Sequence, residues 1–286
     1  MDFEKKHQED LQRLRGFRLL DDDFMTKVFE DISCAELLLR IILNDEGIRV
    51  LEAHSQRGIK NLQGRSVKLD ILAVDSHNRV FNVEVQRSDR GAGAKRARYN
   101  SALIDANVTE PGDQYEDLNE TFVIFITEND VMKAGLPIYH IDRVVRETGK
   151  LFKDEAHIIY VNSQIKDETK LGRLMHDFSC TDAKDMYNKV LADRVRYFKE
   201  DERGVEIMCR EMEIMRNQAH EEGIEKGRIM QLIKQVCVKM QKFSSAEEVA
   251  NDLVEQDVPL IQKIMNVAPD FAPDYNVNDI YNALKL

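Results

Sequence analysis

The chain has no tryptophan, only four cysteines and no long apolar run. The cysteines and the lack of a long apolar run each exclude a class of protein. The cysteines are widely scattered, so neither a disulfide framework nor a zinc-type arrangement is predicted. The first ten residues, MDFEKKHQED, lack the apolar core of a secretory signal, and no apolar run approaches the roughly 20 residues of a membrane span. A cytoplasmic protein without membrane contact is therefore expected.

Charge is unevenly distributed along the chain. The 286 residues carry a formal net charge of −11, from 41 Lys and Arg residues against 52 Asp and Glu residues. Residues 53–100 contain ten basic and four acidic residues, a net charge of +6, which leaves −17 for the remainder. Such a basic island favours a local site for a polyanion such as a nucleic acid or a nucleotide. The acidic remainder argues against a protein that coats nucleic acid indiscriminately.

The most informative segment is VKLDILAVDSHNRVFNVEVQR, residues 67–87. Its alternation predicts two strands joined by the polar turn residues Ser-His-Asn. If these three residues form the turn, Asp70 lies directly opposite Glu84, and Lys68 lies opposite Gln86. Cross-strand β-carbons are about 5 Å apart. Two carboxylates at that spacing repel unless a shared proton or a cation intervenes, and a hard divalent ion with oxygen ligands serves naturally.

The sequence leaves two alternatives to this metal site open. A two-residue turn would change the pairing and send the two carboxylates to different faces. Alternatively, Asp70 and Glu84 are solvated residues on the wet face of an ordinary hairpin, as most charged residues are. Leu72 and Val74 share the predicted carboxylate face, which is therefore not uniformly polar. This mixed face and the surrounding basic residues favour the metal site.

The pattern of the whole chain predicts an α/β domain followed by helices. Residues 1–20 are expected to form a charged tail or packing arm, 21–170 the α/β domain, 171–242 a helical extension with a long helix, and 243–286 a small helical module. The α/β domain is expected to begin with a helix after Asp22 or Asp23 and a second helix capped by Ser33 and Glu36. A strand at 48–53 and the hairpin follow. The domain then continues with a basic helix at 95–106 and strands at 121–127 and 157–162. The run from Asp182 to about Lys242 reads as continuous helix. His176 and His220 are interpreted as residues of a solvated helix surface. Ser244 with Glu247 and Pro259 predict later helix starts.

Several segments together resemble a known family. They are Asp70 with EVQ at 84–86, RARYNSALIDAN at 96–107, PGDQYEDL at 111–118, TFVIFITENDV at 121–131, LPIYHIDR at 136–143 and LGRLMHDF at 171–178. In this order they closely resemble the transposase group of the PD-(D/E)XK nuclease superfamily, also described as recombination-promoting nucleases. The resemblance covers roughly residues 20–200. It implies a restriction-endonuclease-like core, a mixed central sheet flanked by helices, with an α-helical C-terminal extension.

The resemblance also implies the roles of individual residues. Asp70 and Glu84 match the two metal-binding acids, and Gln86 stands where the superfamily most often has lysine and this group often has glutamine. An acid on the first helix commonly completes such sites, and Glu36 is the candidate, although it equally suits the capping box of Ser33. The remaining candidates, for contacts with DNA, are Arg87, Arg96, Arg98 and Tyr99. Of these, Arg96 and Tyr99 match the group's Arg-x-x-Tyr pattern. Asn100 stands where the group usually has a second tyrosine.

These expectations define a chemical hypothesis. Mg²⁺ or Mn²⁺ held by Asp70, Glu84 and the backbone carbonyl of Val85 would promote hydrolysis of a DNA phosphodiester. Gln86 can orient water but brings no charge, and the predicted pairing lets Lys68 supply the missing ammonium group. Two other classes stay open: a catalytically inactive nuclease fold that binds DNA, and a scaffold that forms homo-oligomers through its C-terminal helices.

Overall fold

The computed structural model describes residues 2–59, 66–87, 91–109, 112 and 114–284. The chain divides into two compact units, residues 1–209 and residues 210–286. The helices of the first unit are α1 (Asp2–Gly16), α2 (Asp22–Phe29), α3 (Ile32–Leu43), α4 (Ala94–Val108), α5 (Lys170–Ser179), α6 (Lys189–Glu200) and the start of α7 (Glu202–Lys239). The second unit contains the rest of α7 with α8 (Ala246–Leu253), α9 (Val258–Val267) and α10 (Val277–Leu284).

A mixed sheet forms the centre of the first unit. Its strands are β1 (Val50–Ile59), β2 (Val67–Asp75), β3 (Val80–Gln86), β4 (Thr121–Thr127), β5 (Ile138–Ile141) and β8 (Ala156–Asn162). Within the described residues the strand order is β1-β2-β3-β4-β8-β5. The β3–β4 and β4–β8 pairs are parallel, and the other pairs are antiparallel. Two short strands, β6 (Val144–Val145) and β7 (Lys150–Leu151), form a separate ribbon.

Strand β4 is the most enclosed element of the sheet. All seven of its residues are buried, because parallel neighbours flank both edges and side chains pack on both faces. This confirms the strand predicted at 121–127. The expectation that the strand at 157–162 closes the sheet is wrong, since β5 pairs with it from the outside. β5 has only four residues, none of them buried, and therefore gives no apolar run to recognise.

Helices cover the sheet, and α4 lies against the face that carries Leu72. The buried cluster on this face joins Ala97 and Ile104 of α4 to Val123 of β4 and Tyr160 of β8. α2 and α3 contact the β1 region. The predicted basic helix at 95–106 is thus confirmed as α4, with one face packed on the sheet.

Several predicted helix boundaries need correction. The N-cap of α3 is Asp31, whose carboxylate accepts hydrogen bonds from the N–H groups of Ser33 and Cys34, so the predicted Ser33 cap is wrong. Residues 1–20 contain α1, in which Leu14 is buried, so the structure supports the packing arm and not the tail. The helix predicted from Asp182 onward is interrupted, since α6 ends at Glu200 and α7 begins at Glu202.

The second unit has its own apolar core. Buried residues of α7, α8, α9 and α10 form it, including Ile233, Val249, Ile261 and Ile280. The capping box of α8 joins Ser245 to Glu248 and lies one residue beyond the predicted pair, whereas Pro259 lies in the first turn of α9 as predicted. Within the described residues, no helix has the length and apolar character needed to cross a membrane.

Candidate metal centre and basic groove

The hairpin register places the two candidate acids together. In the β2–β3 ladder Ile71 pairs with Val83 and Leu72 pairs with Asn82. Side chains alternate between faces along a strand, so Asp70 and Glu84 project from the same face of adjacent antiparallel strands. The register predicted from a three-residue turn is therefore confirmed between Ile71 and Val74, and the ladder ends one pair before Asp70 and Glu84. The buried Asp75 carboxylate fixes this turn by accepting hydrogen bonds from the N–H groups of His77 and Arg79, both at 2.9 Å.

Asp70 is only 7% exposed and occupies the point where the β2–β3 ladder ends. Its Oδ2 accepts a hydrogen bond of 3.0 Å from the N–H of Val85, in place of a backbone acceptor. The N–H and C=O of one strand residue point toward the same neighbouring strand, so the Val85 carbonyl is also directed to the Asp70 side. Its role as a metal ligand beside the two carboxylates stays a prediction.

Glu84 is fully buried and is held by two side-chain donors. Its Oε1 accepts a 3.0 Å hydrogen bond from Asn82 Nδ2, and its Oε2 lies 2.5 Å from Arg96 Nη2. Arg96 also donates to the Gly91 carbonyl at 2.9 Å, which orients the guanidinium group. One arginine therefore provides one positive charge beside two buried carboxylates.

The electrostatics of the pair favour a further cation. Burial, followed by the charges of Glu84 and Asp22, raises the pKa of Asp70 to about 8. Burial likewise raises the pKa of Glu84, although Asn82 and Arg96 oppose the shift. Hard divalent ions prefer carboxylate and carbonyl oxygens. The donor set of two carboxylates and the Val85 carbonyl fits such an ion, whose charge would offset the repulsion that now disfavours ionisation.

The acid of the first helices that influences this centre is Asp22, at the start of α2. Its charge contributes to the raised pKa of both Asp70 and Glu84. The predicted candidate, Glu36, is engaged elsewhere: its Oε2 accepts a 3.0 Å hydrogen bond from the Val50 N–H, and its Oε1 lies 2.7 Å from Arg40 Nη2. Both of its carboxylate oxygens therefore have structural partners.

Gln86 and Lys68 flank the carboxylates in different ways. The side chain of Gln86 lies against Gly91, where an added β-carbon would come within 1.7 Å of its Oε1. Lys68 of β2 pairs with Gly58 of β1. The described β2–β3 ladder ends before the predicted Lys68–Gln86 pair. Lys68 nevertheless shares the sheet face of Asp70 by strand alternation.

A basic groove of about 810 Å³ opens beside the pair. It is lined by Ser66, Val67, Lys68, Lys95, Arg96, Arg98 and Tyr99. Four of the predicted functional side chains thus line one groove. Arg87 does not line it, because its guanidinium group is ion-paired with Asp21 and Glu128. Further residues of the basic island, Lys60, Arg65 and Arg90, lie outside the described residues.

Two amide side chains belong to the site: Asn82, which was not singled out from the sequence, and Asn100, which was noted only as the replacement of a tyrosine. Asn82 bridges Glu84 to α4, since its Oδ1 accepts a 3.3 Å hydrogen bond from Asn100 Nδ2. Asn100 is buried, and its own Oδ1 has no hydrogen-bond partner within the described residues. The signal in the sequence was the even spacing of Asn82 and Glu84, which places both on one strand face.

The mixed sheet, its flanking helices and the paired acids define an α/β protein of the PD-(D/E)XK nuclease type. A family model described as PD-(D/E)XK nuclease family transposase matches residues 36–222, more than half of the chain, and the chain belongs to this family. The match begins after Asp22 and ends within α7. No curated protein and no solved structure gives a significant match.

Proposed function

We propose that the chain is a metal-dependent endonuclease that hydrolyses DNA phosphodiesters, with Mg²⁺ or Mn²⁺ as its cofactor. Family membership supports nuclease chemistry on DNA with a divalent metal. The observation that carries the proposal is the buried Asp70–Glu84 pair, which has only Arg96 as a direct cationic partner among the described residues. The Val85 carbonyl completes the proposed ligand set, and Asp22 takes the place first predicted for Glu36.

The chain's own residues have distinct roles in this proposal. A bound divalent ion would supply positive charge to the scissile phosphate and make a water molecule more acidic. Gln86 orients the attacking water by hydrogen bonding. Lys68 supplies an ammonium group on the same face, next to the developing phosphate charge. Arg98 and Arg96 contact flanking phosphates, since guanidinium groups form charge-assisted hydrogen bonds with phosphate oxygens.

The groove supports DNA as the occupant. Its cationic side chains are spaced along α4 and β2, and Tyr99 adds an aromatic ring for stacking or a phosphate contact. Arg87 acts indirectly in this proposal, because its ion pairs with Asp21 and Glu128 stabilise the end of β3 beside Gln86. DNA cleavage therefore requires both the carboxylates and the adjacent groove.

The deciding experiment combines plasmid and single-stranded DNA substrates with and without Mg²⁺ or Mn²⁺. Asp70→Ala and Glu84→Ala should each abolish cleavage, and Glu147→Ala, at an exposed residue of the first unit, is the matched control. Circular dichroism verifies that each variant folds. Wild-type cleavage by either site variant would contradict the assignment.

A second candidate function is a catalytically inactive module that binds DNA. The ion pair between Arg96 and Glu84 favours it, because this guanidinium group already neutralises one of the two acids. Metal titration separates the two functions: the inactive module binds DNA equally with and without metal and never nicks it.

We also propose a cytoplasmic location and homo-oligomers formed through the C-terminal helices. Exposed apolar side chains in the second unit, Ile214, Ile224 and Val238, support the latter. Light scattering of the full chain and an Ile224→Glu variant tests it, since a monomeric wild-type chain would contradict assembly.

A further inference from the structure

Three potential metal ligands meet at the C-terminal end of α5. His176 and Asp177 belong to its last turn, and Cys180 follows directly as its C-cap residue. One ligand atom from each residue lies within 4.8 Å of the other two. None of these residues belongs to the carboxylate pair or the basic groove.

The two distances from the His176 imidazole nitrogen to its partners suit tetrahedral coordination. His176 Nδ1 lies 3.5 Å from Cys180 Sγ and 3.6 Å from Asp177 Oδ1. Zinc–sulfur bonds of about 2.3 Å and zinc–nitrogen or zinc–oxygen bonds of about 2.0–2.2 Å at a tetrahedral angle place ligand atoms roughly 3.4–3.6 Å apart. The imidazole nitrogen therefore already stands at ligand spacing from both partners.

The surrounding contacts hold the ligands in place and leave coordination capacity. Asp177 is fully buried; its Oδ1 accepts one hydrogen bond, of 2.7 Å from the Tyr187 N–H, and retains a second lone pair. The Tyr187 ring packs at 4.8 Å from the His176 ring and restricts its rotation. The Cys180 thiol donates to the backbone carbonyls of His176 and Asp185, at 3.4 and 3.7 Å, and these contacts place its sulfur beside the imidazole.

We propose that His176, Asp177 and Cys180 form a three-ligand site for a thiophilic divalent cation, with Zn²⁺ as the preferred ion. Nitrogen and sulfur ligands select zinc over magnesium, whereas the oxygen-only donors at Asp70 and Glu84 select harder ions. The bound ion would fix the end of α5, where Asp177 also accepts hydrogen bonds from the N–H groups of Tyr187 and Asn188 in the segment preceding α6. The fourth position is taken by water.

The scattered cysteines concealed this arrangement in the sequence. Only one cysteine takes part, and its partners come from a helix that reads as ordinary surface. The relevant signal is the spacing of His176 and Cys180, four residues apart, which brings both to one side of a helix end.

Cobalt substitution tests the proposal, because Co²⁺ in a zinc site gives a thiolate charge-transfer band and visible absorption. The full chain, free of any affinity tag and stripped of metal with a chelator, is titrated with Co²⁺ and then with competing Zn²⁺. Cys180→Ser and His176→Gln are the site variants. Cys209→Ser is the matched control, a partly buried cysteine on α7 outside the cluster.

We expect a thiolate band that saturates at one Co²⁺ per chain in the wild type and in Cys209→Ser, whereas any Co²⁺ held by the carboxylates of Asp70 and Glu84 gives no such band. Cys180→Ser should lose the band, and His176→Gln should bind more than about tenfold more weakly. Absence of the band from the wild type, or its persistence in Cys180→Ser, overturns the proposal.

A thermal-shift measurement covers the case in which Cys180→Ser fails to fold. Zn²⁺ should raise the Tm of the wild type and of Cys209→Ser, because a ligand that binds only the native state stabilises it. The side chain of His176 is 35% exposed. His176→Gln should lose most of this shift in Tm. An equal shift in His176→Gln and the wild type overturns the proposal, whatever the outcome of the DNA cleavage assays.

Discussion

Replacing Asp70 by asparagine separates the charge of the buried pair from its shape. Asparagine retains an acceptor for the Val85 N–H, but it does not titrate. The pKa of Asp70 is about 8 in the folded metal-free protein, mainly because of burial, against about 4 in an unfolded chain. Between these values the native state binds more protons than the unfolded state. The free energy of unfolding of the wild type therefore decreases as the pH rises through this window.

The magnitude follows from the same shift. One proton of difference changes stability by roughly 1.4 kcal/mol per pH unit, so the penalty grows by up to about 4 kcal/mol between about pH 5 and about pH 8. Asp70→Asn removes this penalty and also relieves the repulsion on Glu84. We expect the variant to be more stable than the wild type at pH 8 without metal. The advantage should vanish below about pH 4, where the acid is protonated in both states.

Urea unfolding in a chelating buffer at a series of pH values measures this difference. Glu147→Gln, at an exposed carboxylate, is the control and should follow the wild type throughout. Parallel stability curves for Asp70→Asn and the wild type would refute the account of a repelling buried pair. Added Mn²⁺ should stabilise the wild type and reverse the order. Equal stabilisation of both proteins would mean that the ion binds elsewhere.

Three further substitutions test other contacts. Lys68→Ala should reduce the single-turnover cleavage rate at saturating DNA more than Lys150→Ala, a substitution at an exposed position of β7, because only Lys68 shares the sheet face of Asp70. Equal rates for the two variants would show that Lys68 does not belong to the site. Gly91→Ala should displace the Gln86 side chain and slow cleavage while changing stability by less than about 1 kcal/mol, as cleavage assays and urea unfolding would show. Lys199→Met should lower the urea midpoint by the equivalent of about 1–3 kcal/mol without altering cleavage, because its ammonium group donates to three backbone carbonyls; an unchanged midpoint would contradict this.

Local patterns predicted the strands and the carboxylate pairing well, for a physical reason. The alternation of residues 67–87 and a turn of three polar residues determine the register, and both signals are contained in one short segment. Strand β4 could be predicted equally well, because a continuous apolar run suits a strand buried on both faces. These elements depend little on distant parts of the chain.

Tertiary arrangement decided what the sequence could not. Asp22 and Glu36 lie on neighbouring helices with similar local signals, and only the structure shows that the charge of Asp22 raises the pKa of Asp70 whereas Glu36 pairs with Arg40. Asp31 and Ser33 are both good helix caps, and the choice depended on how α3 begins. The edge strand β5 escaped prediction because it is short and lacks buried residues.

The pairing of β3 with β4 determines which part of the candidate site stays folded when the native structure opens locally. Amide hydrogens in central, fully buried ladders exchange with solvent mainly on global unfolding, whereas edge segments open locally at lower free energy. Glu84 lies on β3, which is bonded to β4 along its whole length, but the β2–β3 ladder ends at Ile71. Local opening should therefore release Asp70 first, and hydrogen exchange would report faster exchange around Asp70 than around Glu84. The two halves of the candidate metal centre thus belong to regions of unequal persistence.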